Sequence, residues 1–187
     1  MAGLARQGGM RATASDDDLA LAAAGGDGAA FAALLERHYD RLFRVLLRLI
    51  GDRAEAEDLC QDLCLALPAK LRGFRGEARF TTWLWRVAVN AVHDRRRRRA
   101  ARGRAADGWG DRMVAEAAAR AEAAERSAWL LGAMAGLPVD LRDTLVLVLE
   151  GFGHGEAGEA LGVSEGTVSW RVWGARGGRG LAGGGEG

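Results

Sequence analysis

Residues 80–99 read FTTWLWRVAVNAVHDRRRRR. At 100° per residue, Leu84, Ala88, Ala91 and Val92 share one face, with Trp85 at its margin. Trp83, Arg86, Asn90, Asp94 and Arg97 fall on the other. The spacing predicts an amphipathic helix, capped by Thr81 or Thr82 and running to about Arg99. Its outer face carries an indole, an amide and arginines instead of a uniform charge.

Working upstream, residues 73–80 (GFRGEARF) form a glycine-broken loop. Asp52 with Glu55 three residues later opens a helix with Leu59, Leu63 and Leu67 as its buried stripe. Pro68 is expected to end or kink it. Asp27 caps an earlier helix whose apolar positions (Phe31, Leu34, Leu35, Tyr39, Leu42, Phe43, Leu46, Leu49, Ile50) keep a 3.6-residue period up to Gly51. Ser15 and Asp18 start a first helix that Gly25-Gly26 stops. Downstream, an Ala/Arg/Gly/Glu-rich stretch reads as a linker, and a second apolar region begins near Trp129. It predicts a helix around 127–136, a break at Leu137-Pro138, a helix from Asp140 to Glu150 and a short helix around 154–161. A turn at Gly162-Val163 and a helix opened by Ser164 follow. No strand pattern and no long repeat occur. The expected fold is all-α: two small helical domains joined by a flexible linker. Residues 1–14 are a disordered tail, 15–99 the first domain, 100–126 the linker, 127–176 a helix–turn–helix domain and 177–187 a Gly-rich tail.

Of the 187 residues 49% are apolar, enough to build cores. Lys70 is the only lysine, and the abundance of Ala, Gly and Arg reads first as the codon bias of a GC-rich genome. The net charge of +1 conceals a sharp internal division. Residues 70–104 hold twelve basic residues against Glu77 and Asp94, whereas 52–62 carry Asp52, Glu55, Glu57, Asp58 and Asp62 against Arg53. Clustered arginines displace counterions from phosphates, so the basic stretch points to salt-dependent nucleic-acid binding. An exposed tryptophan among arginines suits single strands, where stacking contributes ~1–3 kcal/mol per base; the alternative is that Trp83 packs on the preceding loop.

In the second domain Glu156, Ala157, Ala160 and Leu161 fit the first helix of a helix–turn–helix, Gly162 the turn, and Ser164 the cap of the second helix. Val168, Val172 and Ala175 would face inward. Thr167, Ser169, Trp170, Arg171, Trp173 and Arg176 would face outward wholly or partly, as a recognition helix entering a major groove requires. A plain three-helix bundle remains the bland reading. An enzyme is disfavoured, because His38, His93 and His154 are scattered and no nucleotide-binding glycine loop occurs. Cys60 and Cys64 lie four apart without a third ligand nearby and read as packing residues. No metal or cofactor is expected. The longest apolar run, Leu145 to Leu149, is far too short to span a bilayer, so a soluble cytoplasmic protein without membrane insertion is expected.

Together, these residues resemble the extracytoplasmic-function (ECF) sigma factors of the sigma-70 class, over about 27–99 and 127–176. The resemblance rests on Ala56-Glu57-Asp58-Leu59-Cys60-Gln61-Asp62, Phe74-Arg75-Gly76, Phe80-Thr81-Thr82-Trp83-Leu84 and Val87-Ala88-Val89-Asn90. In the C-terminal part it rests on Leu137-Pro138, Leu141-Arg142 and Leu161 to Val168. It implies a sigma region 2-like bundle and a sigma region 4-like helix–turn–helix in a factor that brings core RNA polymerase to promoters. The helix with Glu55, Asp58, Gln61 and Asp62 would dock on the clamp of the largest subunit. Phe74, Arg75, Phe80, Thr82, Trp83, Arg86, Asn90, Arg95 and Arg97 would hold the −10 element, single-stranded where a base is flipped into a pocket. Thr167, Ser169, Trp170, Arg171, Trp173 and Arg176 would read duplex −35 DNA, with the polymerase flap region nearby. An anti-sigma factor that masks these surfaces is also implied. The last helix departs from the family pattern: Gly174 occupies an expected base-contacting position, Trp170 and Trp173 are unusually large, and Gly155 and Gly158 weaken the preceding helix, so −35 recognition is expected to be weak, unusual or partner-dependent. The alternative function is a stand-alone helix–turn–helix transcriptional regulator.

Overall fold

A computed structural model describes residues 14–101, residue 134 and residues 136–176. Among them are seven helices and no strand: α1 (Asp16–Ala24), α2 (Gly28–Ile50), α3 (Arg53–Leu71), α4 (Phe80–Ala101), α5 (Val139–Leu149), α6 (His154–Leu161) and α7 (Glu165–Arg176). The expected linker and glycine-rich tail lie outside the described residues. So does the expected N-terminal tail apart from Ala14, which is half-buried and whose carbonyl accepts from Arg37. Of the helix expected around 127–136, Met134 is helical and buried.

The caps explain the helix starts. Ser15 accepts from the Asp18 N–H at 3.1 Å and returns a hydroxyl bond to its carboxylate at 2.7 Å. Asp27 accepts from the Ala29 and Ala30 N–H groups, and Asp52 from that of Glu55. Each satisfies backbone donors that a first turn leaves free. Gly51, at φ 74°, ends α2 in the left-handed conformation that a side chain would resist. Two boundaries differ from expectation. Pro68 does not end α3, which continues to Leu71 because Leu67 and Leu71 on either side of it are buried. Helix α4 starts at Phe80 rather than behind a threonine cap, and its first N–H is taken by Asp17, 63 residues upstream.

Helices α1 to α4 form the first bundle, centred on Leu34, Leu46, Leu49, Leu63, Leu71, Leu84 and Ala88, all buried. Helices α5 to α7 form the helix–turn–helix unit around Val146, Leu147, Ala157, Val168 and Val172. The two units do not stand apart: α6 packs on α4, α5 packs on α2, and one continuous apolar core joins them. Trp85, expected at the margin of a helix face, is fully buried and meets Phe152 edge-on at 5.1 Å. The Arg41 guanidinium lies 4.2 Å from the Phe152 ring centre and 5.2 Å from that of Trp85, and donates to the Glu150 carbonyl. Arg48 pairs with the Glu150 carboxylate at 2.5 Å. The C-terminal unit is thereby clamped on the bundle by an aromatic pair flanked by arginines.

Gly158, expected to weaken α6, has a positive role. A Cβ there would lie 2.8 Å from the Val163 carbonyl oxygen, so α6 and the turn approach as only glycine allows. Around Gly174 there is open space. Gly158→Ala should therefore destabilise the protein by roughly 1–3 kcal/mol through overpacking, while Gly174→Ala should stabilise α7 by up to about 1 kcal/mol. Thermal denaturation of the two variants followed by circular dichroism checks both, and equal shifts would refute the close-approach argument.

Candidate nucleic-acid interface

The buried arc of α4 runs from Leu84 and Ala88 through Val92 to Trp85 and Val89, about half of the circumference. What remains outside is the strip expected from the sequence. Arg86, Asn90 and Arg97 are exposed, and Arg97 contacts Asp94 one turn back. Trp83 is half-buried, and its packing on the preceding loop is seen directly. Its ring packs on Phe74 at 5.7 Å and on Phe80 at 5.9 Å, while part of it reaches the surface.

The loop before α4 corrects two further expectations. Phe74 and Phe80, expected to meet DNA, are both buried and meet edge to face, their ring centres 6.3 Å apart, beneath the loop. An apolar ring between two helices lowers the free energy more by leaving water than by waiting at the surface. The loop presents instead Arg72, Arg75 and Arg79, all exposed. Thr82 is half-buried. The surface facing outward here is thus a cationic loop continuous with the Trp83–Arg86–Asn90 strip, floored by three aromatic rings.

The run of five arginines is not one patch. Arg99 donates to Glu55 at 2.5 Å, and Arg95 lies 3.8 Å from Glu55 and 3.6 Å from Asp58, so both lean onto α3. Arg96 turns the other way, making two bonds of 2.5 and 2.9 Å to the Asp143 carboxylate of α5 and one to the Leu49 carbonyl. His93 Nε2 lies 3.2 Å from the same carboxylate, whose side chain is 2% exposed. Burial by itself would raise the Asp143 carboxyl, but the bonds and charges of His93 and Arg96 outweigh it and hold it below the ordinary carboxylate value. Nothing in the sequence signals this contact, which joins residues 47 apart.

On α3 the acidic face stands outward. The Asp58 side chain is 72% exposed despite its contact with Arg95, Gln61 and Asp62 are exposed, and Glu55 is half-buried beneath its two arginines. Leu65 on the same helix is exposed as well. On the opposite face, Cys60 is buried and its thiol is pushed up to about 12, chiefly by desolvation, while burial raises Cys64 also. Thiols held protonated in this way pack well and react poorly.

In the helix–turn–helix, Gly162 takes φ 71° at the turn and Ser164 caps α7 through the Thr167 N–H, its hydroxyl also meeting that of Thr167. Trp170 and Trp173 are 67% and 71% exposed. Two expected contact residues are engaged within the protein: Arg171 bonds Asp140 at 2.8 Å and Thr144 at 3.1 Å, and Ser169 bonds His154 at 2.8 Å. Thr167 is half-buried. Arg176 closes the helix, and its side chain lies outside the described residues. Among the described residues no helix is long and apolar enough to cross a membrane, and no group of acidic, histidine and cysteine side chains is placed to hold a metal.

The profile of sigma-70 region 2 matches residues 34–102. The chain is 36% identical over 170 residues to the ECF RNA polymerase sigma factor SigM of Mycobacterium tuberculosis, covering 90% of this chain and 84% of that protein. It is 32% identical over 153 residues to the RNA polymerase sigma factor CarQ of Myxococcus xanthus, covering 78% and 86%. Among solved structures it resembles CnrH, described in complex with the cytosolic domain of CnrY, with a TM-score of 0.64 and 25% identity over 87% of this chain and 92% of that one.

The buried Asp143 carboxylate makes the contact between the units sensitive to acid. A carboxyl whose folded value is depressed contributes stability above its unfolded value, and that contribution disappears as the pH falls through the folded one. Asp143→Asn should lower stability at pH 7 by on the order of 2–3 kcal/mol. The difference from the parent should shrink as the pH drops below about 4. Urea unfolding of both proteins across this range measures it, and a gap independent of pH would remove the ionic account.

Proposed function

The chain belongs to the ECF family of RNA polymerase sigma factors and directs transcription initiation at promoters, and from this premise we propose how its faces divide the work. The family is one of initiation factors rather than enzymes, and RNA polymerase and promoter DNA are its partners. In our reading the acidic face of α3, with Asp58, Gln61 and Asp62, meets the clamp of the polymerase largest subunit. The loop at 72–79 and the strip Trp83–Arg86–Asn90–Arg97 hold the −10 element, arginines on phosphates and the exposed part of the indole against a base. Phe74 and Phe80 take a supporting place under that surface. Helix α7 with Trp170 and Trp173 faces the −35 duplex, near the polymerase flap. The work is done in the cytoplasm.

The observation that carries this reading is the position of the exposed strip. A helix buried over half its circumference keeps an exposed amide, two exposed arginines and a half-buried indole on its outer side, next to three loop arginines. A core-building helix gains nothing from such a strip, whereas a partly melted strand needs both cations and a stacking surface. A regulatory protein partner, an anti-sigma factor, is supported by the likeness to CnrH, whose structure contains the cytosolic domain of CnrY.

Run-off transcription with purified core polymerase and a promoter library tests the reading. Specific transcripts should require the protein. Arg86→Ala with Asn90→Ala should keep polymerase affinity and reduce open-complex formation at least tenfold, with the salt slope of DNA binding falling by about one. Asp58→Arg with Asp62→Arg should abolish polymerase association with unchanged circular dichroism. Sequence-specific duplex binding and regulation by the protein without polymerase would favour a stand-alone regulator instead.

A further inference from the structure

Residues Asp16, Asp17 and Asp18 read in the sequence as the acidic first turn of a helix, where carboxylates oppose the helix dipole. The structure gives the three side chains three different partners. Asp18 closes the cap with Ser15. Asp16 pairs with Arg37 at 2.8 Å and with His38 Nε2 at 2.8 Å. Asp17 reaches out of its own helix and accepts the Phe80 N–H at 2.6 Å.

All three connections bear on the loop at 72–79. The Phe80 N–H is the first backbone donor of α4, so the Asp17 carboxylate is that helix's cap, supplied from another element. The Phe80 ring is buried and lies 5.5 Å from the His38 ring, which Asp16 holds. At the crest of the loop Gly76 has φ 72°, and a Cβ there would sit 3.5 Å from Leu21 Cδ2, so the loop crosses directly over α1. Ser15 and Asp18 set the register of α1, and thereby direct Asp17 at Phe80 and Leu21 at Gly76.

We propose that α1 is a working part of the −10 surface, with Asp17 a positioning residue that sets where the loop and the first turn of α4 stand relative to the opened strand. The proposal rests on the −10 reading above and adds to it an element that touches no DNA. Asp17 acts through the Phe80 backbone and hence on the Arg75, Arg79 and Trp83 side chains carried on either side of it. Two variants separate positioning from folding. Asp17→Ala removes the acceptor, and Asp17→Asn keeps a carbonyl oxygen in its place.

Two measurements on the full-length protein test this. In the first, amide hydrogen exchange of the segment 72–83 is compared with that of α2 and α3. Asp17→Ala should speed exchange in 72–83 by about fivefold or more, the equivalent of one lost cap, with α2 and α3 unchanged and Asp17→Asn near the parent. In the second, the ratio of open complexes on the best promoter to those on its single-base −10 variants is measured with core polymerase. Asp17→Ala should lower that ratio by about fivefold with polymerase affinity intact, and Asp17→Asn should restore it. Unchanged exchange in 72–83, an unchanged ratio, or faster exchange throughout the bundle with a proportional loss of polymerase binding would each overturn the proposal. Arg86→Ala with Asn90→Ala runs in parallel: if that pair loses opening while Asp17→Ala keeps its ratio, only the role of Asp17 fails. If that pair opens promoters normally, the −10 reading itself fails.

Discussion

The burial of α4 on two sides governs the rest of this structure. Leu84 and Ala88 close the first bundle, and Trp85 with Val89 carries the buried arc on toward the C-terminal unit. Removing a fully buried tryptophan costs a domain about 3–5 kcal/mol, so Trp85 is an anchor for the joint and not an ornament of the exposed face. Once half of the helix is committed, only the strip from Trp83 to Arg97 is left for another molecule. The same helix holds a core, a joint and an exposed surface, and their angular order around its axis keeps them from competing.

The arginines follow that geometry. Neighbours in the run point 100° apart, so Arg95 and Arg99 reach α3, Arg96 reaches α5, and Arg97 stays with the exposed strip. A block of like charge in sequence becomes several separate electrostatic tasks in space. Pairs at the surface contribute little each, whereas the Arg96 fork on the enclosed Asp143 carboxylate is the strong one, with two short bonds and little water. Glu55 and Asp58 are shared between the cationic helix and the acidic face of α3, so the charge of one surface is set partly by what occupies the other.

Local signals made most of the helices legible. Ser15, Asp27, Asp52 and Ser164 act as the caps their positions suggested, Gly51 and Gly162 turn as glycines at helix ends do, and the outer strip of α4 was readable from its period alone. What escaped was every feature made by distant residues. A helical wheel reports one apolar stripe and cannot say that a second unit widens it, so Trp85 looked marginal. Phe74 and Phe80 lie in a polar, glycine-broken stretch, and only the fold shows α1, α2 and α4 closing over them. The cap on Phe80 comes from 63 residues away, and no threonine nearby competes for it successfully. Gly158 looked like a defect because propensity scales score a helix in isolation, and the cramped turn beneath it is a tertiary fact.

The shared core also limits what the protein can hold at once. A folded chain of this length has a radius of gyration of about 16 Å, whereas promoter elements centred some 25 base pairs apart are separated by roughly 85 Å of straight duplex. A single body with Trp85 against Phe152 cannot straddle that interval. On the division of faces proposed above, gripping both elements includes the work of parting the two units, and the apparent promoter affinity is then scaled down by the fraction of molecules already parted. The stability of the joint and the strength of the grip are in this way opposite ends of one balance.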